Sequence, residues 1–230
     1  MTPQLGAVTA ATLTNPRLIA GFDEGLNTGA LVVLDRHARD HAGRVRVVEA
    51  VDLSEASAAP KQARAEAREL AKTFIGVHDI EFCAAHLRAE AYTRRLTDAL
   101  DGVAAEYGVE VSIIALESFD DQAQHAKVMK KGRWKTPLAI GMAAGELVRR
   151  GYRLDNGRLV YQNAGVVLKQ NEDEIKRLAD RRTKTLDVVR PGDHLITNGH
   201  KRSAFAHALA LSTRLDEAHP LTTLHHATAA

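Results

Sequence analysis

Three short segments carry residue types that could do chemistry, and the first is GFDEGLNTG at residues 21–29. Asp23 follows a short apolar run of strand length. Its carboxylate is therefore expected at the end of a strand, where open α/β sheets commonly bind ligands. The glycines permit positive φ values and the close approach of a phosphate or a metal ion. An ordinary acidic hairpin turn has the same composition, so this segment alone leaves both interpretations open.

The second segment is the β-branched, apolar run at residues 109–116, which ends at Glu117. A carboxylate that closes a buried strand is costly unless it is exposed, paired or bound to a metal ion. If this strand neighbours the first, Asp23 and Glu117 converge. They then offer two hard oxygen ligands of the kind that Mg²⁺ or Mn²⁺ requires. Without the first segment, a glutamate that simply begins the next loop would be the preferred interpretation.

The third segment, HKRSAFAHALAL at residues 200–211, is predicted to be helical. Positions i, i+3 and i+7 share a helix face, so His200, Ser203 and His207 form a polar stripe. The apolar side that would pack on a sheet consists of Ala204, Phe205, Ala208, Leu209 and Leu211. A helix docked in this way aims its first turn at the two carboxylates. The alternative is that His200 and Ser203 only cap the helix.

The pattern of apolar runs predicts the elements that must position these segments. Runs at 17–22, 28–34 and 44–53, separated by turn residues, indicate an antiparallel meander. Further strands are predicted at 109–116 and 159–168. Helices are predicted over 61–75, 84–107, 121–151 (with Pro137 as a point where the helix could break), 171–184 and 200–215. This order favours an α/β fold in which a mixed sheet carries helices on both faces.

Length and composition predict a soluble globular protein. The chain has 230 residues, of which 45% are hydrophobic and 26% charged, and it is long enough to bury a core. We predict one domain over 17–215, between a flexible leader at 1–16 and a flexible tail at 216–230. A lone cysteine and the absence of both a secretory signal and an apolar run of ~20 residues predict a cytoplasmic protein with no membrane partner.

The net charge of +2 hides a strong asymmetry along the chain. Residues 127–202 hold 18 Lys and Arg against 8 Asp and Glu, whereas the remainder holds 13 against 21. Such asymmetry favours a face that binds a polyanion, although a solvated basic helical surface explains it equally well.

Taken in order, GFDEGLNTG, ALESF and HKRSAFAHALAL resemble the RuvC group of Holliday junction resolvases, and the divergent phage-encoded members most closely, over residues 17–212. The resemblance implies a ribonuclease H-like fold and a metal-dependent endonuclease that cleaves Holliday junctions or other branched DNA. It places the catalytic residues at Asp23, Glu117, His200 and Ser203. It also implies that Asp23, Glu117 and His200 hold Mg²⁺ or Mn²⁺ for two-metal hydrolysis. His200 could alternatively act as a protonated acid.

Two departures from the family pattern bear on activity. The usual Asp-Pro-Gly is Asp23-Glu24-Gly25, which is tolerable because proline only rigidifies the turn. Ser203 replaces an aspartate, and a hydroxyl is a far weaker ligand for a hard cation. Three outcomes are open: a water fills the position, Asp193 of the preceding loop substitutes, or the protein is a catalytically impaired module that binds branched DNA.

The implied partner is a four-way DNA junction. The residues predicted to contact DNA are Phe119, Lys127, Lys130, Lys131, Arg133, Trp134, Lys135, Arg181, Arg182, Lys201 and Arg202. Phe119 resembles the aromatic residue that family members insert at the junction centre. The near two-fold symmetry of a junction implies a homodimer. A helical stripe of Ala139, Met142, Ala143 and Leu147 is a candidate dimer contact, with core packing as its alternative.

A third class, the sugar-kinase and actin-like ATPases, opens with a similar acidic Gly-Thr turn. That class needs a second acidic phosphate loop and an adenosine-side glycine motif, and neither is visible in the sequence. No G-x-G-x-x-G joins a strand to a helix, and the cysteine and histidines have no zinc-site spacing.

Overall fold

The computed structural model describes residues 15–25, 29–39, 43–53, 59–73, 79–118, 135–179 and 192–218. The strands are β1 (Leu18–Asp23), β2 (Ala30–Arg39), β3 (Val45–Asp52), β4 (Ile113–Ser118) and β5 (Leu159–Asn163). The helices are α1 (Ala59–Thr73), α2 (Ile80–Tyr107), α3 (Lys135–Arg149), α4 (Ala164–Gln170), α5 (Glu172–Ala179) and α6 (Gly199–Ala218), with a short 3₁₀ turn at Asp193–Leu195 before α6.

The strands form one mixed sheet in the order β3-β2-β1-β4-β5. β1 pairs antiparallel with β2, and β2 with β3, which confirms the predicted meander. β4 lies parallel to β1, and β5 lies parallel to β4. The sheet is therefore the predicted mixed α/β arrangement, an antiparallel meander followed by parallel strands. Its topology brings the carboxyl ends of β1, β3, β4 and β5 to one edge.

Helices cover both faces of the sheet. α2 and α3 pack on one face, where alternate residues of β1 such as Leu18, Ala20 and Phe22 join their apolar side chains. α6 packs on the other face through Ala204, Phe205, Ala208 and Leu211, as its sequence predicts. All six residues of β1 are consequently buried, as expected for a central strand covered on both sides.

α6 can lie directly on β1 because Gly21 has no side chain. A Cβ atom at this position would overlap the carbonyl oxygen of Ala204 and the amide nitrogen of Ala208, both in the helix backbone. The glycine therefore sets the separation between the helix that carries His200 and the strand that carries Asp23.

We expect Gly21→Ala to force α6 away from the sheet and to lower the free energy of unfolding by about 2–3 kcal/mol, as overpacking does. Gly102→Ala in α2 is the matched control, because a Cβ there meets nothing within 4 Å. Alanine should stabilise that helix interior by about 0.5–1 kcal/mol. Urea unfolding of both variants measures the difference. A Gly21→Ala protein as stable as the Gly102→Ala protein would contradict the close approach.

Several element boundaries differ from the sequence prediction, most clearly the end of β5. The stretch 159–168 is predicted to be extended, but β5 ends at Asn163 and α4 begins at once. The Asn163 side chain accepts a hydrogen bond from the amide of Val166 at 3.1 Å, so a local cap outweighs the β-branched residues that follow. Within the described part of the predicted helix 121–151, Pro137 lies in the first turn of α3, where proline breaks no intrahelical hydrogen bond.

The predicted dimer stripe belongs to the core of the chain itself. Ala139, Ala143 and Leu147 are fully buried among side chains of the sheet and α2, and Met142 packs against the same cluster. The interpretation as a dimer contact is therefore wrong for these residues, because the face they occupy is covered within the protomer.

Contacts are present at both limits of the predicted domain, 17–215. The carbonyl of Pro16 accepts a hydrogen bond from the buried Arg36 guanidinium at 3.1 Å. α6 continues to Ala218, and Asp216 forms ion pairs with Arg36 and Arg39. Residues 1–14 and 219–230 lie outside the described residues. Among the helices that the structure describes, none combines the length and the apolar character needed to cross a membrane.

Candidate active site

A row of polar side chains lies along the edge where β1, β3, β4 and β5 end. The strand registers align Asp52, Ala30, Asp23, Glu117 and Gln162 across the sheet, since Phe22 pairs with Leu116 one position earlier. The side chains of Phe22 and Leu116 belong to the core cluster under α2 and α3. Because side chains alternate along a strand, Asp23 and Glu117 project to the α6 face. The predicted convergence of the two acids follows from this register.

α6 and the residue before it contact this row at three points. The Asn198 side chain caps the helix by accepting from the amide of Lys201 at 2.9 Å, and it donates to the Asp52 carboxylate, also at 2.9 Å. Nδ1 of His200 lies 3.1 Å from Oδ2 of Asp23. Further along, Nδ1 of His207 lies 2.9 Å from Oε1 of Gln162. The helix thus brings the predicted His200 to the predicted acids.

Asp23 and Glu117 share a hydrogen bond between their carboxyl groups. Burial is the main cause that raises the pKa of both groups, and repulsion by Asp23 raises that of Glu117 further. Asp23 is only 8% exposed. Two buried carboxyl groups that share a hydrogen bond do not both ionise cheaply, and a cation bound between them would favour their charged forms.

Glu24 is a third carboxyl group at the same place. Burial raises its pKa to about 8, and the charges of Glu117 and Asp23 add to the rise. In the sequence, Glu24 is notable only because it stands where the family pattern has a proline. Its position directly after a buried strand-end acid is the signal that could have identified it.

Tyr92 supports the segment that carries these acids, and sequence reasoning misses it. The residue is fully buried in α2, and its ring centroid lies 6.1 Å from that of Phe22. A Cβ at Gly29 would collide with the Tyr92 hydroxyl, so the lack of a side chain lets the Gly29 backbone lie close to the ring. No local pattern marks this contact, because it depends on how α2 packs under the sheet.

The raised carboxyl pKa values predict how stability depends on pH when no divalent cation is present. The folded state holds protons on Glu24 up to about pH 8, whereas a glutamate in the unfolded chain releases its proton at about pH 4.3. The folded state therefore binds more protons in this window, and the free energy of unfolding falls as the pH rises through it.

The measurement is urea unfolding in EDTA of the wild type and Glu24→Gln at several pH values. Burial lowers the pKa of His207 to about 4, which acts in the opposite direction, so only the difference between the two proteins is informative. Glu24→Gln should gain stability relative to the wild type as the pH rises. A difference that does not change with pH would contradict the burial of this carboxyl group.

Ser203 lies on α6 close in sequence to His200, whereas Asp193 lies away from the acids. Ser203 is half-buried, one helical turn after His200. Asp193 is 1% exposed and pairs with Arg177 at 2.5 Å. The adjacent Gly192 lies against Val47 in β3, several residues from the edge that carries the acids. The suggestion that Asp193 replaces the missing aspartate is therefore wrong.

Three of the residues predicted to bind DNA are described. Lys135 forms an ion pair with Glu81 at 3.1 Å. The ammonium of Lys201 donates to the carbonyl of Leu195 at 3.3 Å, and Arg202 is half-buried in the first turns of α6. The other predicted contacts lie outside the described residues: Phe119, Lys127, Lys130, Lys131, Arg133, Trp134, Arg181 and Arg182.

The side chains that meet at this edge suit a hard divalent cation. Carboxylate oxygens are the ligands that Mg²⁺ and Mn²⁺ prefer. In the part of the chain that the structure describes, no group of three His, Cys, Asp or Glu side chains is arranged so that it could hold a metal ion. Asp23 is instead hydrogen-bonded to Glu117 and contacts His200, so a cation would enter by replacing these contacts.

Several solved structures are similar to this chain. Thermus thermophilus RuvC matches 87% of this chain and 95% of its own, with 13% identity and a TM-score of 0.47. The same protein in complex with Holliday junction substrate matches with equal coverage, 15% identity and a TM-score of 0.44. A complex of Fowlpox virus resolvase and substrate Holliday junction DNA matches 86% of this chain and 98% of its own, at 12% identity and a TM-score of 0.35. No protein-family model and no curated protein matches the sequence.

Proposed function

We propose that the protein is a metal-dependent endonuclease that cleaves branched DNA, with the four-way junction as its substrate. The observation that carries this proposal is the convergence of Asp23, Glu117 and His200 at one sheet edge. These residues come from three distant segments that resemble, in the same order, the catalytic segments of RuvC-type resolvases. Buried carboxyl groups that are gathered at one place with raised pKa values are typical of functional sites.

Each residue has a distinct role in this proposal. Asp23 lies between Glu117 and His200, so it would contact two cations, with Glu117 holding one and His200 standing near the other. Two Mg²⁺ or Mn²⁺ ions, when bound, would activate a water and stabilise the leaving oxygen of the phosphodiester. His200 is partly exposed, so it can present a ring nitrogen to a cation or, when protonated, donate a proton to the leaving group.

The charge distribution supports DNA as the substrate. The segment 127–202 carries an excess of ten positive charges, and Lys201 and Arg202 lie beside His200 in the first turns of α6. Lys and Arg bind phosphates without reading the base sequence, which suits an enzyme that recognises the shape of a junction. Cutting both strands of a two-fold junction requires two sites, so a homodimer is part of the proposal.

The test compares a four-way junction with a linear duplex of the same sequence, in Mg²⁺, in Mn²⁺ and in EDTA. We expect paired nicks in the junction, little cleavage of the duplex and none in EDTA. Equal cleavage of the duplex would remove the selectivity for branched DNA, and full cleavage in EDTA would remove the role of the cation.

Ser203 keeps a second candidate function open, a catalytically impaired protein that binds branched DNA. The hydroxyl stands where the family has a carboxylate, so the position near His200 lacks one negative charge. The same assay with Ser203→Asp separates the two functions. Junction cleavage by the wild type supports the enzyme. A wild type that binds the junction without cleaving it, together with cleavage by Ser203→Asp, supports the impaired form.

A further inference from the structure

A buried polar pair connects α6 to the end of β5, and the roles assigned above do not use it. Gln162 is 2% exposed and His207 is 0% exposed. Nδ1 of His207 lies 2.9 Å from Oε1 of Gln162. Burying two polar side chains in an apolar layer is costly, so the presence of this pair calls for a physical explanation.

The chemistry of the two groups fixes the direction of this hydrogen bond. An amide oxygen only accepts, so Nδ1 of His207 carries the hydrogen and donates it. Burial lowers the pKa of His207 to about 4, so the ring is neutral and has only this N–H. The amide oxygen of Gln162 is thereby held on the His207 side, and the amide nitrogen is turned away from the ring.

The sheet register places that amide beside a catalytic acid. Gln162 pairs with Glu117 across β4 and β5, on strands that lie about 4.8 Å apart. Both side chains are on the α6 face. Nε2 of Gln162 is buried and, among the described residues, has no hydrogen-bond partner. An unpaired buried donor costs about 1–3 kcal/mol, so an acceptor nearby would be strongly favoured. The opposite amide orientation would set a carbonyl oxygen beside the carboxyl group of Glu117.

We propose that His207 and Gln162 are positioning residues that orient the Glu117 carboxylate toward the bound cation. His207 fixes the amide of Gln162, so that the amide N–H faces Glu117 and can donate to its carboxylate when a bound cation takes the place of the hydrogen bond to Asp23. Carboxylates that ligate metals are commonly held by such hydrogen bonds. This inference rests on the proposed function, because it assigns Glu117 as a metal ligand.

The experiment measures Mn²⁺ binding to the full chain by electron paramagnetic resonance, without DNA. We expect Gln162→Met and His207→Leu to weaken Mn²⁺ binding by about 10–100-fold, as the loss of a partner behind a metal ligand does. His207→Asn should retain most of the wild-type affinity for Mn²⁺, because the asparagine amide can donate to Oε1 of Gln162. The double variant Gln162→Met/His207→Leu should bind no more weakly than either single variant, since both changes break one chain of contacts.

Thermal unfolding of each variant shows whether it is folded. Gln162→Met keeps the side-chain volume, so it decides the outcome even if His207→Leu does not fold. Folded variants that bind Mn²⁺ as tightly as the wild type would overturn the inference and leave a purely structural pair. A wild type that binds no Mn²⁺ would overturn the proposed function, and this inference with it.

Discussion

Asp23→Asn is expected to reduce junction cleavage by at least about 10³-fold, which corresponds to about 4 kcal/mol of lost transition-state stabilisation. Asp23 is the central group of the site, in contact with both Glu117 and His200. An amide cannot supply the negative charge that two cations need, so the loss should exceed that of any other single replacement at this edge. Single-turnover cleavage at saturating Mg²⁺ measures it.

The stability of the same variant separates catalysis from folding. Burial disfavours the charged carboxylate of Asp23, so an isosteric amide should leave the free energy of unfolding unchanged or higher. Asp52→Asn is the matched control, because Asp52 lies in the same row but contacts the Asn198 cap of α6. It should retain cleavage within about 10-fold of the wild type, a change of about 1.4 kcal/mol in the barrier. Equal activity of Asp23→Asn and Asp52→Asn would contradict the assignment of Asp23.

Asp216→Ala is expected to lower the free energy of unfolding by about 3 kcal/mol, because removing one partner strands a buried charge. The side chain of Arg36 in β2 is fully buried, and its guanidinium lies 2.6 Å from the Asp216 carboxylate near the end of α6. Without Asp216, the carbonyl of Pro16 would still accept from this guanidinium but would not neutralise it. Urea unfolding gives the difference in free energy directly.

Arg39→Ala provides the control for this ion pair. Arg39 contacts the other oxygen of Asp216 at 2.7 Å, but its side chain is 29% exposed. Removing this partly exposed ion pair should lower the free energy of unfolding by no more than about 1 kcal/mol. Equal losses for Asp216→Ala and Arg39→Ala would show that the burial of Arg36 contributes nothing.

The sequence predicts the acidic pair because two local signals coincide. Asp23 and Glu117 each follow an apolar run of strand length, and parallel neighbouring strands end at one edge. The apolar side of α6 likewise predicts the face that packs on the sheet, and with it the placement of His200. Each of these features is a pattern within a short stretch of the chain, so a single sequence contains enough information to find it.

The features that the sequence analysis misses depend on tertiary contacts. Tyr92 approaches Gly29 only because α2 packs against the sheet. Gln162 lies opposite Glu117 only because of the register of β4 and β5. In the sequence, Asp193 is a candidate to replace the missing aspartate, because no local pattern reveals its ion pair with Arg177. The end of β5 is also misplaced, since the β-branched run hides the cap that Asn163 provides.

Asp23 and Glu117 are proposed to bind divalent cations jointly, and anomalous X-ray scattering from crystals soaked in Mn²⁺ would locate those ions. The predicted result is a strong peak at ~2.0–2.3 Å from a carboxylate oxygen of each residue, the usual range for a small hard cation. A crystal saturated with Mn²⁺ in which this sheet edge holds no ion, while the two carboxyl groups stay hydrogen-bonded to each other, would contradict the claim.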